Sequence, residues 1–171
     1  MSESAKENKD VLVVFYSLTG NTKLLAENIA DEIGADLLEL KPADEINKDS
    51  KLKFMFGGGQ AIMHLKPKLE PYEVDLDEHE LILIGTPVWA WTYSPPIRAF
   101  LEENNLSGKK TAFFISCLGS PKKAIRNMND SLNETDLLGS ISFIEPLKND
   151  TSQAVQDARH WALEMRRKAA G

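Results

Sequence analysis

The chain reads as an α/β protein built on a doubly wound, five-stranded parallel sheet in the order 2-1-3-4-5, with helices on both faces. Two observations predict this. Short runs that are apolar at every position alternate with amphipathic stretches, and strands buried on both sides belong to parallel sheets covered by helices. The runs also end in segments rich in glycine, proline and small hydroxyl residues, the kind of loop that forms ligand sites at the carboxyl ends of such sheets. The length of 171 residues suits one domain with a proper core.

Each element follows in order. Residues 1–10 are polar and charged and read as a tail. Val11-Leu-Val-Val-Phe-Tyr16 is the first strand, and Leu25, Ile29 and Ile33 place an amphipathic helix over 22–33, stopped by Gly34. Residues 37–40 form a second strand ended by Pro42. Phe54-Met-Phe56 precede Gly57-Gly-Gly59, and 61–64 continue a helix broken by those glycines. The stretch 70–80 carries six carboxylates and no lysine, so it is expected in solvent. Residues 81–84 are strand three, 96–103 a helix with a proline in its first turn, and 111–117 strand four. Ser120 is expected to cap a helix with Pro121 at its first position. Residues 141–144 are strand five, and Asp150 caps a last helix with Val155, Ala158, Trp161, Ala162 and Met165 on its inner face.

Three of the loops at strand ends carry chemistry. Ser17-Leu-Thr-Gly-Asn-Thr22 joins the first strand to the first helix. Amides at a helix start, with hydroxyls beside them, cradle a phosphate, although the same residues also suffice for a capping turn. Gly85-Thr-Pro-Val-Trp-Ala-Trp-Thr-Tyr-Ser-Pro-Pro96 follows strand three. Its Trp89, Trp91 and Tyr93 either cover a flat ligand or pack together over the sheet end, with Trp89 favoured as the ligand ring. Cys117-Leu-Gly-Ser120 follows strand four; its backbone can border a planar heterocycle, and its cysteine reads as a small buried hydrophobe.

These three segments resemble the flavodoxin family in its short-chain form, with Ser94-Pro-Pro-Ile-Arg98 adding to the likeness, and the element order matches over 11–169. The resemblance implies a flavin-binding domain at 11–171 holding FMN. Ser17, Leu18, Thr19, Gly20, Asn21 and Thr22 would hold its phosphate. Thr86, Pro87, Val88, Trp89, Ala90 and Trp91 would flank the isoalloxazine, with Trp89 as the main stacking residue. Cys117, Leu118 and Gly119 would border the pyrimidine side. The implied role is electron transfer between redox partner proteins, which could dock on the acidic stretch 70–80. The alternative is an NAD(P)H-dependent reductase of quinones or small acceptors, with Trp91 and Tyr93 forming half of a pocket. Family members that stabilise a neutral semiquinone have a glycine in the second loop. None lies between Gly85 and Gly108 here, and left-handed backbone at Ala90 or Trp91 is expected to be costly. Weak semiquinone stabilisation is the expectation.

Other classes fail on residue content. No Gly-Lys-Ser/Thr and no Gly-x-Gly-x-x-Gly is present, which argues against P-loop and dinucleotide-binding fingerprints. Strand three ends in Gly85-Thr86, not a carboxylate, and the sixth residue after Cys117 is Lys123 rather than the arginine of a cysteine phosphatase. His64, His79 and His160 lack metal-ligand spacing, and the first two are expected at the surface. A single cysteine excludes an internal disulfide and points to a reducing cytoplasm. A net charge of −6 argues against nucleic acid, and no apolar run is long enough to span a membrane. The chain is expected as a monomer or a dimer.

Overall fold

The computed structural model describes residues 10–43 and 67–171. The elements, in chain order, are β1 (Val11–Phe15), α1 (Asn21–Ile33), β2 (Asp36–Glu39), β3 (Leu81–Trp89), β4 (Thr92–Tyr93), α2 (Pro95–Glu103), β5 (Lys110–Cys117), α3 (Lys122–Ser131), β6 (Asp136–Ile144) and α4 (Thr151–Ala170). The glycine turn at 57–59, the helix expected over 61–64, His64 and the tail up to residue 9 lie outside the described residues.

The sheet runs β2-β1-β3-β5-β6, all parallel, with the short β4 folded back antiparallel on the end of β3. Counted without that hairpin, the order is the predicted 2-1-3-4-5. Alternation sorts the side chains into two cores. Val11, Val13, Phe15, Leu81, Leu83, Ala112 and Phe114 meet α1 and α4 on one face. Leu12, Val14, Tyr16, Ile82, Ile84, Phe113 and Ile115 meet α2 and α3 on the other. Period-two alternation with both faces apolar is what makes each central strand read as an unbroken apolar run.

Strand β3 is longer than its apolar run predicts and continues through Gly85-Thr-Pro-Val-Trp89. Gly85 permits the continuation, because a Cβ at this position would overlap the ring of Phe114 on β5. Tyr16 donates its amide to the Gly85 carbonyl, so Gly85 faces β1, and Pro87, two residues on, faces the same side. There β1 has ended, so the missing proline N–H leaves no gap in the ladder. Strand β6 likewise starts five residues before the predicted 141; as a half-exposed edge carrying Gly139 and Ser140, it lacks the apolar signature.

Helix ends follow local chemistry. Asp150 caps α4 by accepting from the Gln153 amide at 3.1 Å, as expected. Helix α3 begins one residue later than expected, with Pro121 at the cap position and Ser120 Oγ only distantly placed, 3.5 Å from the Lys122 amide. Between α1 and α4, Arg159 donates to Asn28, Asp31 and Glu32. Among the described residues no helix is long and apolar enough to cross a membrane.

In the segment 67–80 the six carboxylate residues of the stretch 70–80 are all exposed, as expected, while Leu69 and His79 anchor the segment as buried residues. It starts beside the end of β2, where Leu69 bridges Pro42, and ends at the start of β3, at the opposite end of the sheet. At the surface Lys109 Nζ donates to Asp77 Oδ1 and to the Leu76 carbonyl. His79 is 5% exposed, not at the surface, with its ring nitrogens 2.8 Å from the Asp75 carbonyl and 3.0 Å from Asp36 Oδ2.

Two predictions follow from this packing. Gly85→Ala should force Phe114 aside and destabilise the fold by about 1–3 kcal/mol, read as a lower urea midpoint. Tyr16 has a buried hydroxyl without a hydrogen-bond partner among the described residues, and burial pushes its pKa up to about 12. A group whose folded pKa exceeds its unfolded value of about 10 favours the fold fully below pH 10 and loses that contribution as pH rises towards 12. Tyr16→Phe should therefore leave the pH 7 urea midpoint unchanged or raised, and should shrink the loss of stability between pH 9 and pH 12.

Candidate functional site

The carboxyl ends of β1, β3, β5 and β6 and the starts of the following helices share one end of the molecule. The segment after β1 forms a tight loop. Ser17 Oγ accepts from the amides of Gly20 at 3.2 Å and Lys23 at 3.1 Å, so it caps α1 from outside the helix while Gly20 occupies the cap position at φ 94°. That left-handed conformation suits glycine. Thr19 Oγ1 accepts from Asn21 Nδ2 at 3.0 Å. Thr22 is buried, its hydroxyl 2.7 Å from that of Ser116 on β5. Leu18 is partly buried against the α2–α3 core. Among the described residues no main-chain acceptor takes the amides of Thr19, Asn21 or Thr22. Unpaired amides at the positive end of a helix form an anion cradle.

The segment after Gly85 behaves differently from a loose aromatic loop. Thr86 is buried, and its Oγ1 lies 3.1 Å from Ser94 Oγ and accepts the Ser94 amide at 2.9 Å, so it braces the hairpin from beneath. Pro87 and Ala90 are buried and Val88 partly so. Trp89 ends β3 inside the core, 1% exposed, edge-on to Tyr16 at 5.6 Å. Its ring is held by protein on this side of the sheet, in contrast to the open loop residue the sequence suggests. Tyr93 is also buried, its hydroxyl 2.7 Å from Ser131 Oγ and its ring under Arg98. Trp91, 59% exposed, is the aromatic side chain here that faces outward.

Trp91 sits at the tip of a two-residue turn, because Trp89 pairs with Thr92 and Val88 with Tyr93. Both turn residues have positive φ, Ala90 at 46° and Trp91 at 63°. This is the sign pattern of a type I′ turn, which matches the twist of the paired strands. The left-handed backbone expected to be too costly without glycine is thus adopted here, held by the hairpin pairing and by Asn127, which donates to Thr92 Oγ1 at 2.8 Å.

The third segment is a rim. Cys117 is buried, with its Sγ 3.1 Å from the Gly119 carbonyl, and burial pushes the thiol pKa up against the opposing effect of that contact. Such a thiol stays protonated at neutral pH and is a poor nucleophile. Leu118 is exposed, and beside Gly119 there is open space.

A fourth segment went unnoticed in the sequence. After β6, Glu145 donates its amide to the Cys117 carbonyl at 3.0 Å, and the Leu147 amide donates to Asn21 Oδ1 at 2.9 Å. Leu147 covers Gly20, where an added Cβ would meet its Cδ1 at 3.4 Å. The loop 145–150 therefore forms one wall of the cradle. The available signal was its position at a strand's carboxyl end, marked by Pro146.

Comparison with known proteins agrees with this geometry. A curated protein from Archaeoglobus fulgidus, described as NAD(P)H dehydrogenase (quinone), is 29% identical over 125 residues, which is 62% of this chain and 60% of that protein. The match thus spans less than two thirds of that relative. Among solved structures, a flavoprotein from Lactobacillus acidophilus NCFM in complex with FMN is 26% identical, with a TM-score of 0.63 over 84% of this chain and 97% of that one. A flavodoxin from the domain Archaea shares the fold at 20% identity, with a TM-score of 0.61 over 94% of this chain and 99% of its own. The family model for flavodoxin matches residues 10–161, and with its sheet order and loop positions in accord, the chain belongs to the flavodoxin family.

Proposed function

We propose that the chain binds FMN and uses it as an NAD(P)H-dependent reductase of quinones or similar small acceptors. The residues present fit the cofactor. The open amides of Thr19, Asn21 and Thr22, ordered by Ser17, suit a phosphate held by neutral donors. Leu118 and Gly119 leave space for the edge of a planar ring, and Trp91 offers it an apolar face. Bound FMN would supply the hydride and electron chemistry by which two electrons pass from NAD(P)H to a quinone. The chain's own groups would bind, orient and shield it.

The observation that carries the reductase reading is the exposed Trp91 on a braced turn at the end of the sheet that also holds the cradle. A fixed, solvent-facing indole suits stacking of a small planar acceptor. The acidic stretch 70–80, by contrast, leads away to the start of β3, which weakens its claim as a docking surface beside the flavin. The likeness to a quinone dehydrogenase adds to this support. Family membership keeps the carrier role between proteins as the second reading.

Purified protein loaded with FMN should oxidise NAD(P)H when a soluble benzoquinone is present and no other protein is added. Turnover only after adding a separate flavodoxin reductase would favour the carrier. Trp91→Ala should weaken FMN or acceptor binding on the order of tenfold, seen as a higher Kd in flavin-fluorescence titration or a higher KM for quinone. Ser17→Ala should cost about 1 kcal/mol of stability through the lost cap and should also raise the FMN Kd. Unchanged retention of FMN would show that the cradle does not depend on this hydroxyl.

A further inference from the structure

Charge in this acidic chain is unevenly spread along the sequence. Residues 81–101 and 104–129 build the hairpin, the start of α2, the rim after β5 and most of α3, yet contain none of the 26 carboxylates. Carboxylates stand at several strand starts, and on the site side at Glu39, Glu145 and Asp150. Asp36 and Asp136 open β2 and β6, while Asp10 and Glu80 stand immediately before β1 and β3.

On the site side, Lys122, Lys123 and Arg126 lie on the first turns of α3, just past the rim 117–120. All three are exposed and form no ion pair among the described residues, whereas Lys23 and Lys148 are paired with Glu39 and Glu145. The same helix is fastened to the Trp91 hairpin twice, through Asn127 to Thr92 Oγ1 at 2.8 Å and through Ser131 Oγ to Tyr93 OH at 2.7 Å. Three exposed cations thus stand on the helix that is fastened to the hairpin carrying the exposed indole.

We propose that Lys122, Lys123 and Arg126 bind the phosphates of the nicotinamide dinucleotide donor and favour the form carrying the 2′-phosphate, an inference that rests on the reductase reading. A net charge of −6 repels such an anion at long range, but at about 0.15 M salt fields fade over about 8 Å, so the nearest charges decide. Lys and Arg close together suit a pyrophosphate, and an added dianionic phosphate gains most from a third cation. An exposed apolar ring on a hairpin fastened to the cation-bearing helix suits a nucleotide, which is part heterocycle and part polyanion. The patch is three side chains and one indole, small against the about 800 Å² per partner of a standard protein interface, which favours the small anion over an acidic protein.

The test uses the FMN-loaded protein, with adenosine 2′,5′-bisphosphate and 5′-AMP as calorimetric probes at low salt. The wild type should bind the bisphosphate more tightly than 5′-AMP. The variant Lys122→Gln/Lys123→Gln/Arg126→Gln should lose roughly tenfold or more in bisphosphate affinity, and Lys123→Gln alone a smaller part. The control Arg167→Gln/Lys168→Gln, at the far end of α4, should lose nothing. In parallel, the triple variant should raise KM for NADPH by a similar factor, with less change for NADH and for kcat. Absence of bisphosphate binding by the wild type, or equal binding by the triple variant, overturns the assignment. So does a result in which only electron exchange with an acidic redox protein depends on the three cations. Failure of the wild type to oxidise NAD(P)H, with bisphosphate binding intact and lost in the triple variant, would instead remove the reductase reading and leave the phosphate site standing.

Discussion

The close approach of Phe114 to the backbone of Gly85 sets the geometry of the whole site end. The benzene ring on β5 lies across the point where a side chain on β3 would stand, so the two central strands pack with no Cβ between them. With that contact in place, β3 continues past the end of β1 and turns back as a hairpin. The Thr86–Ser94 brace, the left-handed turn at Ala90 and Trp91 and the link from Asn127 all depend on where β3 ends. The contact lies within the α1–α4 core, and what it supports stands at the sheet's carboxyl edge.

Parallel strands impose the second condition. Every strand of the main sheet finishes at one end and the following helices start there, so unpaired amides and the positive ends of helix dipoles converge. Ser17 and Gly20 shape those amides into a concave turn without adding charge. Exposed cations stand farther out, on the first turns of α3.

Sheet order and most helices were legible because burial on both faces leaves a plain signal: runs such as Val11-Leu-Val-Val-Phe15 permit few other placements. The tight turn between β1 and α1 was legible for a related reason, since small polar residues between a buried strand and a helix suit a capped turn. The far end of β3 was not. Glycine and proline usually break strands, and they are accommodated here only because Phe114 fills the gap at one and β1 is absent beside the other. How far each aromatic ring is exposed was illegible for a similar reason. Spacing alone cannot distinguish Trp89, drawn into the core beside Tyr16, from Trp91, which the turn directs outward. Likewise, the burial of His79 depends on Asp36, 43 residues away.

The fastenings of the cradle have a bearing on how the chain assembles. Thr22 is tied to Ser116 across 94 positions, and Asn21 to Leu147 across 126. An emerging chain that has made only β1 and α1 holds the loop's residues but neither of its anchors. The loop gains its final shape only once β5 and the segment after β6 are in place, among the last loop closures available to the polypeptide. An anion that recognises the finished shape would then bind the completed fold and little before it, so its binding energy would be coupled to global rather than local unfolding.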